Sequence, residues 1–141
     1  MDNNLNALNE IHKGLVMGME SISVISEKVG DQNFRDNLDY QYKQYGKILD
    51  RVNNLYTSYG HKADDTGVME KVMGWTSIQM QTLTDKSNSK ISEMLIQGNN
   101  MGIVKGVKLL NKGELDNEVR DILDEFVREQ ENNVEQLKKF L

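Results

Sequence analysis

His12 and His61 are the only imidazoles in this chain of 141 residues, and it has no cysteine. Those residues bear first on metal chemistry. Helical bundles that hold two iron or manganese ions take a Glu from each of two helices. They take a Glu-x-x-His pair from each of the other two. No Glu-x-x-His occurs in this chain. His12 falls between Leu8 and Leu15 on an apolar stripe, the setting of a hydrogen-bonded core histidine. Glu20 lies eight residues on and off that face, so the two make a poor ligand pair. Tyr42 and Tyr45 complete the weak metal candidates, and a phenol must lose a proton with an intrinsic pKa near 10 to bind. His61 sits in the polar stretch 61–67, too far in character from His12 for a Ser-His-Asp set. Thiolate ligands and cysteine nucleophiles are absent with the cysteines. The reading is of a protein that is not an enzyme, with no catalytic residue, no metal and no cofactor.

The elements that would position these residues are helical. There is no proline to interrupt them. Leu5, Leu8, Leu15, Met19, Ile22 and Val29 recur at spacings of three, four and seven, which predicts a first helix over about 3–29. Gly30 fits a left-handed stop and Asp31 the next N-cap. A second helix over about 32–59 carries Phe34, Leu38, Tyr42, Tyr45, Leu49, Val52, Tyr56 and Tyr59, and Gly60 closes it. After the polar stretch, Met69, Val72, Met73, Met80 and Leu83 predict a shorter helix over about 68–83. Two more follow over about 90–111 and 116–140, separated by Gly113. The last buries Val119, Leu123, Phe126, Val127, Val134 and Leu137. The tight links make two antiparallel hairpins in a single domain spanning 1–141. One long crossover carrying a short extra helix joins them, which is the ferritin-like arrangement of an all-α four-helix bundle.

The hairpin geometry indicates what fills the level where metal would sit. Leu15 to Met19 should face Gln41 to Tyr45, and Met94 to Gly98 should face Gln130 to Asn133. Tyr42 and Tyr45 hold the i, i+3 positions of one helix, and Gln130 and Asn133 those of another. Amides and phenols are poor ligands for divalent cations. A core polar cluster of Tyr42, Tyr45, Gln130 and Asn133, hydrogen-bonded within itself, is the expectation.

The third long helix has a different composition. Gly98, Gly102 and Gly106 recur every four residues, a helical spacing and not that of a phosphate-binding loop. Each glycine costs about 1 kcal/mol against alanine in a helix interior. The ridge they form allows close approach of another backbone. Ile96, Ile103 and Leu110 recur every seven residues on a separate flank. With Leu95 and Leu109 they make the helix apolar over a wider arc than one core needs. Either the 68–83 helix or a second copy of the chain would cover the excess. The second case predicts a homodimer built on this helix, with Trp75 and Ile78 at its rim.

The formal net charge of −5 offers no basic face for a phosphate backbone, so no nucleic acid is expected as partner. No apolar run reaches about 18 residues, so no membrane span is expected. With no leader pattern, the expected location is cytoplasmic.

Ser92-Glu93-Met94-Leu95-Ile96-Gln97-Gly98, with Met101-Gly102-Ile103, resembles uncharacterised proteins of Gram-positive, clostridial-type bacteria. The wider layout is similar to bacterial domain-of-unknown-function families with a ferritin-like fold, which carry a tryptophan in the crossover where Trp75 stands. The resemblance implies that fold and no activity. The sequence therefore reads as a non-enzymatic interaction or structural module that self-associates. Two alternatives stand beside it: a divergent ferritin-like metal-binding protein, and a binder of an apolar ligand or peptide in a Met-rich groove between the 68–83 helix and the third long helix. The protein partner is left unnamed by the sequence.

Overall fold

The structure is a computed structural model and describes residues 3–60 and 84–141. Four α-helices account for most of them: α1 Asn3–Ser26, α2 Gln32–Ser58, α3 Asn88–Lys112 and α4 Asn117–Leu137, with a 3₁₀ turn at Lys138–Phe140. No strand occurs among the described residues. The expected helix over 68–83, with Trp75, Ile78 and the polar-loop His61, lies outside the described residues.

One rule organises the core. Inward-facing residues, most of them apolar, alternate at spacings of three and four, the heptad of a left-handed bundle. On α1 they are Leu8, Ile11, Leu15, Ile22 and Ile25, with Gly18 filling the gap in the series. On α2 they are Phe34, Leu38, Gln41, Tyr45, Ile48, Val52 and Leu55. On α4 they are Val119, Leu123, Phe126, Gln130, Asn133 and Leu137. Most are almost fully buried, and each large aliphatic contributes about 1.5–3 kcal/mol by leaving water. The α2 series corrects the sequence reading by one residue. Tyr42 is 40% exposed, and Gln41 occupies the inward position at 1%. The run from Leu38 to Tyr45 must step three and then four to stay on the seam; stepping four and then three puts Tyr42 outside.

Side-chain caps set two of the starts. The Asp31 carboxylate accepts from Phe34 N at 3.0 Å, and the Ser87 hydroxyl accepts from Lys90 N at 3.2 Å. The first helix ends at Ser26, three residues early, and turns through Lys28 N to Ile25 O at 2.9 Å. Val29 is buried beyond the helix end. Gly30 is not in the left-handed region; among the described residues only Gly60 is, at φ 73°. Gly60 therefore closes α2 as expected. Gly113 caps α3 in extended backbone.

Contacts at the ends fix the helix directions. The Tyr59 hydroxyl donates to Asp116, which places the C-terminus of α2 at the N-terminus of α4. At the other end Phe34 stacks on Phe140, centroids 4.4 Å apart. Asp116 N donates to Asn4 Oδ1 at 2.8 Å, so α1 begins at that same end. The Ser92 hydroxyl donates to Leu137 O, so α3 begins where α4 finishes. Hence α1 and α4 run one way, and α2 and α3 the other. Packing is densest within the hairpins α1–α2 and α3–α4, and much lighter between α1 and α3. The end of α2 and the start of α3 therefore lie at opposite ends of the bundle. No described helix is long and apolar enough to cross a membrane.

Candidate functional site

Two features meet at mid-bundle, a buried polar level and a groove beside it. The Tyr45 hydroxyl donates to Asn99 Oδ1 at 2.9 Å and accepts from Asn133 Nδ2 at 2.9 Å. Asn99 Nδ2 in turn donates to Leu95 O at 2.8 Å. One phenol therefore ties α2, α3 and α4 together. Tyr45 is 3% exposed, Asn99 8% and Asn133 fully buried, so each bond replaces water that cannot enter. Gly18 makes room for the ring. A Cβ there would stand 2.6 Å from Tyr45 Cε2. Burial pushes the Tyr45 phenol well above its ordinary pKa, which keeps its proton in place for Asn99.

Glu129 adds a second arrangement. With Asn133 donating to Tyr45, the Asn133 carbonyl oxygen faces the Glu129 main-chain oxygen and carboxyl. Rotating the amide makes its nitrogen donate to Glu129 Oε1 at 3.2 Å and its oxygen accept from the Tyr45 hydroxyl at 2.9 Å. The hydroxyl has one proton, so it cannot serve Asn99 and Asn133 together. The unrotated form suits a protonated Glu129, the rotated form an ionised one. Burial raises the Glu129 pKa above the ordinary carboxyl value. In either form Tyr45 joins Asn133, and Asn99 stays bonded to Leu95 O.

The expected cluster is thus revised. Tyr45 and Asn133 join directly, Tyr42 is outside, and Asn99 takes its place. Gln130 is buried but not bonded to them; its Oε1 has no hydrogen-bond partner among the described residues. Asn99 was legible in principle, because Ser92, Leu95, Asn99, Gly102, Gly106 and Leu109 continue the heptad along α3.

The groove opens along the lightly packed α1–α3 side and has a volume of about 310 Å³. Its walls are Gly14, Met17, Gly18 and Ile22 on α1, and Met94, Gly98, Met101 and Gly102 on α3. Tyr45, Phe126 and Gln130 form its floor. Glycine creates it. Gly14 lies under Phe126, with 2.7 Å left for a Cβ, and Gly106 lies under Val127, with 2.4 Å. Gln130 Nε2 would be 2.0 Å from a Cβ on Gly102. These positions let α4 come close. Gly98 differs, because a Cβ there meets nothing within 4 Å and its missing side chain leaves the groove open. The glycine ridge therefore packs at two of its three positions.

The expected interface flank is only half-exposed. Ile96, Ile103 and Leu110 are of intermediate exposure, and Ile96 and Leu110 pack against the core. The exposed apolar side chains of α3 are instead Met101 at 63%, Val104 at 53% and Val107 at 38%. Of the metal candidates, His12 is buried and meets Tyr56 edge-on at 6.0 Å. Glu20 is half-exposed, about 12 Å along the same helix. Among the described residues no group of three or more His, Cys, Asp or Glu side chains could hold a metal ion. Comparison with protein-family models, with curated proteins and with solved structures returns no match.

Proposed function

We propose that this protein is a non-enzymatic helical binding module, and that the α1–α3 groove is where it takes an apolar ligand. The observation that carries the reading is the groove itself. It is glycine-walled, methionine-lined and backed by a buried, unpartnered amide oxygen on Gln130. Ligand pockets are apolar concavities with a few placed polar groups, and about 300 Å³ is the low end of their size. Methionine suits such walls because its side chain adapts to irregular shapes. The parallel, diagonal placement of α2 and α3 supports the ferritin-like topology for the scaffold, with Tyr45, Asn99 and Asn133 where a metal-binding relative would place ligands.

The test is a titration with the neutral dye Nile red, comparing the protein with Gly98→Leu. The Cβ of a leucine at 98 meets nothing within 4 Å, so its side chain can occupy the groove. Saturable fluorescence enhancement in the parent and its loss in the variant support the reading. Equal enhancement in both removes it.

A second reading, self-association through α3, has its own observation in the exposed Met101, Val104 and Val107. Light scattering on Val104→Lys against the parent tests it. A parent that stays monomeric at high concentration ends that reading.

A further inference from the structure

The groove has a chemical direction, and its two ends differ. Gln130 sits near the middle, its Nε2 against Gly102. About one helical turn along from Gln130, Lys13 on α1 and Lys105 on α3 line the groove, with Glu10 as the acidic residue of that lining. Lys105 also opens onto an adjoining hollow lined by Lys108 and Lys112, again with Glu10. Four lysines therefore gather against one glutamate on a chain whose formal net charge is −5. In the other direction the groove is bare of charge. It passes Gly98 and ends among Met94, Ile22 and Ile25, roughly 12 Å from Gly102 along α3.

A molecule that fits has three parts in order. An anionic head belongs beside Lys13 and Lys105. A hydrogen-bond donor belongs next to that head, where a turn of the Gln130 amide presents Oε1, which is otherwise buried without a partner, to the groove. A single unbranched hydrocarbon chain belongs in the uncharged run, where the volume takes one chain and not the two of a bilayer lipid. We infer that the groove binds a single-chain acyl amphiphile of medium length, carrying an N–H or O–H beside an anionic head, as an N-acyl amino acid does. The inference rests on the reading of the groove as an apolar binding site. Charge complementarity at the lysines sets the orientation. The Gln130 oxygen separates this class from simple fatty acids.

Isothermal titration calorimetry with N-decanoylglycine, decanoate and decanol, each below its micellar range, tests the inference on the full chain. N-Decanoylglycine is expected to bind about tenfold or more tighter than decanoate, and decanoate tighter than decanol. The double variant Lys13→Gln, Lys105→Gln is expected to weaken both acids at least fivefold and leave decanol unchanged. Gln130→Met keeps the shape and removes the acceptor, and should bring N-decanoylglycine down to the affinity of decanoate. Decanol binding as tightly as both acids overturns the inference while the apolar site survives. Failure of all three ligands, with Gly98→Leu melting no lower than the parent, overturns both. Gly98→Leu altering self-association instead of ligand binding gives the groove to a second copy and likewise overturns the inference.

Discussion

Alanine substitutions along the α3 glycines should separate by sign. At Gly98 nothing lies within 4 Å of a new Cβ. Gly98→Ala therefore collects the helix-propensity gain of about 1 kcal/mol. With an unfolding entropy of roughly 2.1 cal/mol/K per residue, a chain of this length shifts its Tm by about 3 °C per kcal/mol. Gly98→Ala should thus melt about 3 °C higher. At Gly106 the new Cβ would stand 2.4 Å from Val127 Cγ2. Valine is stiff at χ1 and buried, so it cannot swing away. Overpacking of this kind costs about 1–3 kcal/mol, which at the middle of that range exceeds the propensity gain by about 1 kcal/mol. Gly106→Ala should therefore melt about 3 °C lower than the parent, or more. Gly102→Ala should fall between, since the obstacle is the end of the Gln130 side chain and the groove offers it space. Circular-dichroism melts at one pH and concentration measure all three. Equal shifts at the three positions, or a higher Tm for Gly106→Ala, would refute the claim that, of these three, Gly102 and Gly106 pack and Gly98 does not.

Four further substitutions probe the core, its exposed edge and a cap. Tyr45→Phe strands two buried amides and should lower stability by about 1–3 kcal/mol in urea titrations, whereas Tyr42→Phe, on the exposed face, should change nothing measurable. Glu129 has a raised folded pKa, so its ionised form opposes folding. That penalty is absent below the unfolded carboxyl pKa and is full above the folded one. Glu129→Gln should accordingly raise the Tm at pH 7 and make no difference at pH 3, read by melts at both. Asp31→Ala removes the acceptor for Phe34 N and should cost about 0.5–2 kcal/mol, seen as a lower urea midpoint with an unchanged slope.

The helices and their pairing were legible because short links and apolar spacing act locally. The register of α2 was not. Its sequence offers two apolar ladders one residue apart, Tyr42 and Leu49 against Gln41 and Ile48. Side-chain hydrophobicity favours the first, and the geometry of a three-four alternation imposes the second. Asn99 escaped notice for a related reason, since a polar residue on the seam interrupts an apolar pattern while obeying its period. Gly30 looked like a left-handed stop because glycine permits that conformation, yet the chain turns there without it. The groove could not be read from any one segment. It exists because Gly14, Gly18, Gly98 and Gly102 come from two helices that meet lightly, while Gly102 and Gly106 let α4 draw close from the other side.

The central claim, that the α1–α3 groove is a binding site, is tested most directly by amide NMR. The spectrum of the ¹⁵N-labelled chain is followed during titration with N-decanoylglycine, because glycine amides resolve well and mark the groove walls. The account predicts saturable shifts at Gly14, Gly18, Gly98 and Gly102, with Gly46 on the far helix unmoved. Shifts centred on Val104 and Val107, or none at the four groove glycines, would contradict it.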